Sequence, residues 1–188
     1  VAKSSRTRCK KFRIPVILKK ESVMPLDYHN LFSTHKLGYI KGNRPSVKCI
    51  LCSIIKKQKE VVNLLVFEGA HTFICVNKFP YNSGHILICP KRHLIDYREL
   101  NRAEEDEIHL LMRESLTILD RLYAPNGYNI GFNIGDFSGA SLPHLHMHII
   151  PRYRNELGFI DIIGGAKIVV EDPNQTMKRL RGEFNKLR

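Results

Sequence analysis

His144-Leu145-His146-Met147-His148-Ile149-Ile150 is the stretch that decides how this 188-residue chain is read. Polar and apolar residues alternate through it, and in a β-strand residues two apart share a face. The stretch is therefore expected to be a strand closed by Pro151, with three imidazoles lining one side of a sheet. Leu145, Met147 and Ile149 would then face the core. A lone histidine on a strand is commonly a satisfied structural residue. Three in strict alternation would repel one another if charged and leave donors unpaired if buried. The row therefore points to chemistry.

Outward from that strand the signals are mostly β. Asn129 to Ile134 alternates as another strand. Val61 to Glu68, a turn at Gly69, and His71 to Val76 read as an antiparallel hairpin. Gly84 to Cys89 is a further strand, stopped by Pro90. One helix is clear: Asn101 can cap it, and Glu104 three residues on completes a capping box. Four acidic residues, Glu104 to Glu107, crowd the turn that the helix dipole favours for negative charge. Ile108, Leu111, Met112, Ser115, Leu119 and Leu122 give an apolar stripe, with Pro125 and Gly127 as stop signals. A second helix is expected from about Asn174 to Lys186, and a short one over residues 27–33. Most connections are too short for a parallel crossover. The expected class is α+β with an antiparallel sheet.

Charge first suggests a different kind of protein. There are 30 Lys+Arg against 18 Asp+Glu, a net charge of +12, which invites a nucleic-acid or anionic-membrane reading. The excess sits at the ends. Residues 1–20 hold eight basic residues and no acid, residues 178–188 hold five basic residues and Glu183, and residues 21–177 are neutral. No apolar run approaches the roughly 18 to 20 residues of a membrane span, so no membrane partner is expected. Residues 1–26 are expected to be a basic tail. Its alternatives are a solvated disordered segment, a contact with RNA or anionic lipid, and a targeting segment or an upstream extension before a true start at Met24. Ile14 to Leu18 is shorter than a signal-peptide core of about 7 to 15 residues. With five cysteines, an odd number, the expected compartment is a reducing cytoplasm, where paired cysteines suggest a metal before a disulfide. Cys75 and Cys89 lie in strand-like runs and are expected to be buried small hydrophobes. Cys9 has no evident partner.

Before the histidine row runs Asn133-Ile134-Gly135-Asp136-Phe137-Ser138-Gly139-Ala140-Ser141-Leu142-Pro143. Such a loop can aim backbone N–H groups and short polar side chains at phosphate oxygens. Taken with it, His144 to Ile150 resembles the His-x-His-x-His-x-x signature of the histidine triad (HIT) superfamily of nucleotidyl transferases and hydrolases. Val76-Asn77-Lys78-Phe79-Pro80-Tyr81-Asn82-Ser83-Gly84-His85 and Pro90-Lys91-Arg92-His93 resemble that family's first block. The Pro-Tyr-Asn run, with Phe159 to Lys167, is most similar to the branch containing diadenosine tetraphosphate phosphorylases. The resemblance covers about residues 31–185.

The resemblance implies a HIT-like fold over residues 27–188, with a C-terminal extension from about residue 152. It implies that His146 attacks the α-phosphorus of a nucleotide and that a covalent nucleotidyl-histidine follows, cleaved by phosphate or water. His148 would donate to a phosphate oxygen or the leaving group. Asn133, Gly139 and Ser141 match the phosphate-contacting positions, and Asn77 lies on the block that helps hold the nucleoside. No metal is needed for that chemistry. A structural Zn²⁺ is nevertheless implied, held by Cys49, Cys52, His93 and His144, a closed Cys2His2 set. A homodimer is implied too. His85 is expected to be structural, His71 and His109 to lie at or near the surface, and Asp136 to point away from phosphate. His29 and His35 have no assigned role. Two other functions remain open: a HIT-type nucleoside phosphoramidase, and a zinc-stabilised nucleotide- or RNA-binding module acting through its basic ends.

Overall fold

The computed structural model describes residues 45–135, 137–154, 156 and 171–187. The expected helix over 27–33, the basic tail, Cys9, His29, His35, Asp136 and Phe159 to Lys167 lie outside the described residues. The order of elements is α1 (Ile50–Ile55), β1 (Leu65–Glu68), β2 (Thr72–Val76), β3 (Ile86–Pro90), a 3-10 turn (Tyr97–Glu99), α2 (Arg102–Tyr123), β4 (Gly127–Phe132), β5 (Met147–Arg152) and α3 (Pro173–Phe184), followed by a final 3-10 turn (Asn185–Leu187).

The five strands form one sheet in the order β1-β2-β3-β5-β4. Every neighbouring pair is antiparallel. The class is α+β, as expected. Alternation along β2 and β3 sorts their side chains onto two faces. Ile74, Val76, Ile86 and Ile88 face a core completed by Ile108, Leu111, Ile118 and Leu119 of α2 and Met177, Leu180 and Phe184 of α3. Phe73, Cys75, Leu87 and Cys89 face Leu51 and Ile54 of α1 and its capping residue Cys49. Cys75 and Cys89 are buried, as expected. The sheet therefore carries two helices on one side and a short one on the other. Both central strands read as continuous apolar runs because both of their faces are covered.

The capping box of α2 forms as read. Asn101 Oδ1 accepts from Glu104 N at 3.0 Å, and Glu104 Oε2 accepts from Asn101 N at 2.9 Å. The helix ends at the stop signal: Ala124, directly before Pro125, closes it in the left-handed region at φ 44°, and Gly127 already belongs to β4. Helix α3 starts with Pro173 behind the cap Asp172, a position where proline's missing N–H costs nothing.

Strand β5 differs most from expectation. It starts at Met147 and runs through Pro151 to Arg152, rather than from His144 to Ile150. Pairing with β3 covers only Met147 to Ile149. Beyond it, the Pro151 carbonyl accepts from Asn82 Nδ2 at 2.7 Å on the side where β3 has ended. The proline's missing N–H faces that same side, so no ladder bond is lost. Before Met147, Leu145 N donates to Leu94 O at 2.6 Å, which draws His144 and Leu145 out of the sheet.

Candidate active site and metal centre

Departure from the sheet separates the three histidines. They do not line one side of a sheet as expected. Leu145, Met147 and Ile149 are buried, but His144 turns to a cluster beside α1, while His146 and His148 stay together. The latter two rings lie 4.8 Å apart, edge to face.

The cluster begins at Cys49, whose extended backbone caps α1 and whose sulfur accepts from Cys52 N at 3.5 Å. That turn sets two thiols side by side. His144 Nδ1 lies 3.4 Å from Cys49 Sγ and 3.5 Å from Cys52 Sγ, and His93 Nδ1 lies 3.5 Å from Cys52 Sγ. All four donor atoms fall within 4.8 Å of one another. His144 Nε2 is 2.9 Å from the Pro90 carbonyl. A carbonyl only accepts, so the proton sits on Nε2 and the Nδ1 lone pair points at the thiols. Burial lowers the pKa of His144 to about 4, which keeps it a neutral ligand. Burial, then the neighbouring Cys49 thiol, raises Cys52 to about 11. A cation between the sulfurs would reverse that penalty. Two sulfurs and two imidazoles suit tetrahedral Zn²⁺, and the residues present fit that ion.

His93 is held from behind. Neighbouring Arg92 forks onto buried Glu104 at 2.7 and 2.8 Å and also reaches Glu99 O at 2.9 Å. The first-turn glutamate of α2 thus ties the helix to the loop bearing a metal-cluster residue. Nothing in the spacing of the two residues announces this.

His146 Nδ1 lies 2.7 Å from the carbonyl of His144. Its proton must be on Nδ1, which leaves Nε2 with a lone pair. Burial lowers the pKa of His146, partly opposed by that hydrogen bond. A neutral ring with one basic nitrogen is what a nucleophile or base requires.

His85 contributes more than a structural turn. Its ring is fully buried. Tyr81 N donates to His85 Nδ1 at 3.1 Å, and His85 Nε2 is 2.9 Å from His148 Nδ1. With Nδ1 accepting, the His85 proton is on Nε2 and is donated to His148. That places the proton of neutral His148 on its Nε2. Burial, then the charges of His148 and His146, lowers His85 to about 3. Gly84 at φ +80° makes the approach possible. A Cβ there would meet Pro151 Cγ at 3.2 Å and Leu119 Cδ2 at 3.3 Å. The hint in the sequence was the position of Gly84-His85, one residue after the Pro-Tyr-Asn run.

His146 and His148 open onto a cleft of about 410 Å³ lined also by Asn77, Asn133, Gly139 and Ser141, with Phe79, Tyr81, Leu87 and Leu142. Every expected substrate-contacting residue reaches this one space. Gly139 has φ +84° with nothing near its missing side chain, so it serves backbone direction rather than packing. A second, apolar pocket of about 680 Å³ shares Asn77, Phe79, Leu87, Ser141 and Leu142, and adds Ile50, Ile54, Val61 and Val62. His71 and His109 are exposed, away from both.

Comparison with known proteins agrees with this geometry. The pattern of the HIT domain matches residues 58–155, just over half of the chain. A Mycobacterium tuberculosis protein named AP-4-A phosphorylase is 32% identical over 122 residues, 64% of this chain and 63% of its own length. The chain thus spans less than two thirds of that relative. A HIT-like protein of Methanocaldococcus jannaschii is 32% identical over 137 residues, 71% of this chain and 99% of that protein. Among solved structures, a Zn-bound histidine triad family protein from Mycobacterium smegmatis superposes with a TM-score of 0.61 at 20% identity, covering 74% of this chain and 95% of that one. At that identity the likeness concerns the fold. With the HIT pattern laid over the cleft, its histidines and the sheet that carries them, this chain belongs to the histidine triad (HIT) family.

Proposed function

We propose that the protein is a nucleotidyl transferase or hydrolase that cleaves dinucleoside polyphosphates of the diadenosine tetraphosphate type. One observation carries the reading: the His146 Nδ1 to His144 carbonyl contact of 2.7 Å fixes a basic Nε2 on a ring that lines the cleft.

In the first step Nε2 of His146 attacks the α-phosphorus, and the bond from phosphorus to the bridging oxygen breaks. His148, with its proton on Nε2, donates a hydrogen bond to the departing oxygen, which leaves as a phosphate anion. The nucleotidyl group is then held on His146. In the second step water or inorganic phosphate attacks the same phosphorus, the His146–phosphorus bond breaks, and any proton lost by the attacking oxygen passes to solvent. Splitting one displacement into two is the gain of covalent catalysis. Ser141, Asn133 and the backbone at Gly139, which line the same cleft, would donate to phosphate oxygens as charge develops. Asn77 stands where the cleft meets the apolar pocket, which suits a nucleoside. Cys49, Cys52, His93 and His144 would hold Zn²⁺ as a structural ion: four protein ligands leave no open position. Held by such an ion, His144 would be fixed in place, and its carbonyl orients His146. The family resemblance adds a homodimer, and exposed Ile130 on β4 offers an apolar surface for it. A sizing column measures that association.

Phosphoramidate cleavage uses the same nucleophile and is the competing reading. Incubation with diadenosine tetraphosphate, with and without phosphate, and in parallel with a nucleoside phosphoramidate, ranks the two. Turnover of the tetraphosphate should be the faster and should be abolished by His146→Ala. Absence of turnover with either acceptor refutes it.

A further inference from the structure

The candidate metal set has one exposed member, His93. We propose that Arg92, locked by Glu104, is a positioning residue: it presets His93 as the fourth metal ligand and so governs how tightly the ion is held. This rests on the fit of the cluster to Zn²⁺.

The other three donors are fixed by bonds of their own. Cys49 and Cys52 share one turn, closed by Cys52 N on Cys49 Sγ at 3.5 Å. The His144 ring is held through Nε2 by the Pro90 carbonyl at 2.9 Å. The His93 ring meets the cluster alone: Nδ1 lies 3.5 Å from Cys52 Sγ, and the ring lies edge-on to His144 at 5.1 Å. Among the described residues, no hydrogen bond from outside the cluster holds it. Its direction must therefore come from the backbone that carries it.

That backbone is anchored on both sides. Lys91 N donates to His71 O at 2.8 Å, and Leu94 O accepts from Leu145 N at 2.6 Å. Between these anchors stand Arg92 and His93, and Arg92 ties down the gap. Its Nε and Nη2 fork onto the two carboxylate oxygens of Glu104 at 2.7 and 2.8 Å, and Nη2 also donates to Glu99 O at 2.9 Å. An exposed ion pair usually contributes little, because two long side chains must be ordered to form it. Here the acceptor is ordered beforehand. Glu104 is 2% exposed, and its Oε2 accepts from Asn101 N at 2.9 Å in the capping box of α2. A planar fork on a fixed carboxylate sets direction as well as distance, which a lysine would not do. Helix α2 is thus the frame against which His93 is aimed. Groups standing behind metal ligands commonly account for about 10- to 100-fold in affinity.

The test is competition for zinc between the full chain and a chromophoric chelator. Arg92→Gln should weaken zinc binding by about 10- to 100-fold. The Arg92 side chain is 53% exposed, so this variant should fold. Lys91→Gln removes the neighbouring ion pair with Glu68 on the same loop and should change the affinity by less than about threefold. In a His93→Ala background, Arg92→Gln should have no further effect, because an effect that passes through His93 vanishes with it. An unchanged zinc affinity in Arg92→Gln overturns the proposal, even where Tm falls, and leaves the pair as a brace between helix and loop. So does an equal loss in Lys91→Gln, or the same loss with and without His93. A wild-type chain that binds no zinc refutes the metal site along with the proposal, and so the two failures are told apart.

Discussion

Replacing His85 with glutamine should change how folding stability depends on pH. The wild-type ring is fully buried. Burial first, then the nearby His148 and His146, takes its pKa from 6.5 to about 3. Because the folded value is the lower one, the unfolded chain takes up a proton first as pH falls. Stability that is intact above pH 6.5 is therefore lost on acidification, and the loss levels off near pH 3. Each pH unit in that window costs about 1.4 kcal/mol for one group. Between pH 7.5 and 5.0 the wild type should lose about 2 kcal/mol through His85 alone. The glutamine variant has nothing to titrate there. It should start about 1 to 3 kcal/mol less stable at pH 7.5, from imperfectly replaced hydrogen bonds to Tyr81 N and His148. The gap should then close by about 2 kcal/mol at pH 5.0. His144, which has no contact with His85, titrates in both proteins and cancels in the difference. Urea unfolding at the two pH values, at matched metal content, measures it. A gap that stays constant within about 0.5 kcal/mol would refute the argument, because His85 would then titrate alike in both states.

Three further outcomes follow from other parts of the molecule. Glu107 accepts from Ala70 N, His71 N, Thr72 N and Thr72 Oγ1 at 2.6 to 2.8 Å, and Thr72 is fully buried. Glu107→Ala should cost about 2 to 4 kcal/mol and lower Tm by roughly 5 to 15 °C; a shift under about 2 °C would contradict that bonding. Ala124 sits at φ 44°, a conformation that costs an L-residue about 1 to 2 kcal/mol. Ala124→Gly should therefore stabilise by about 0.5 to 1 kcal/mol after the entropy of glycine is subtracted, seen as a small rise in Tm. The purified protein should carry one zinc per chain by elemental analysis. At a thousandfold excess of ion over Kd, zinc should add about 4 kcal/mol, so chelation should lower Tm by roughly 8 to 16 °C. Cys52→Ser should abolish that response, and an unchanged Tm on chelation would rule the metal site out.

Local physics made much of the fold legible. The Asn101–Glu104 capping box spans three residues, so the start of α2 could be read from spacing. Alternation in β2 and β3 needed only the period of a strand. What stayed hidden depends on which faces meet across the fold. His85 and His148 are 63 residues apart, and only the β3–β5 register, with Leu87 opposite His148, brings their segments together. Glu104 looked like a dipole partner at an exposed helix start. Its burial depends on Arg92 arriving from another loop. The Cys49-x-x-Cys52 pair was visible, but His93 and His144 joined it only through resemblance, since they lie 41 and 92 positions along the chain from Cys52. The histidine row misled in one respect. Its alternation was real, but alternation alone does not show where sheet pairing ends, and the Leu145 to Leu94 bond ends it before His146. The net charge of +12 pointed to polyanions. A neutral central stretch and a cleft of histidines and short polar groups fit a small phosphate ester better.

The central claim is that His146 carries the nucleotide. Its most direct test is rapid alkaline quenching of the full chain during reaction with diadenosine tetraphosphate, followed by intact and peptide mass analysis. The expected result is one adenylyl group per chain, located on the peptide containing His146 and absent in His146→Ala. Turnover with no protein-bound adenylyl group at any time, or with the group on another residue, would contradict it.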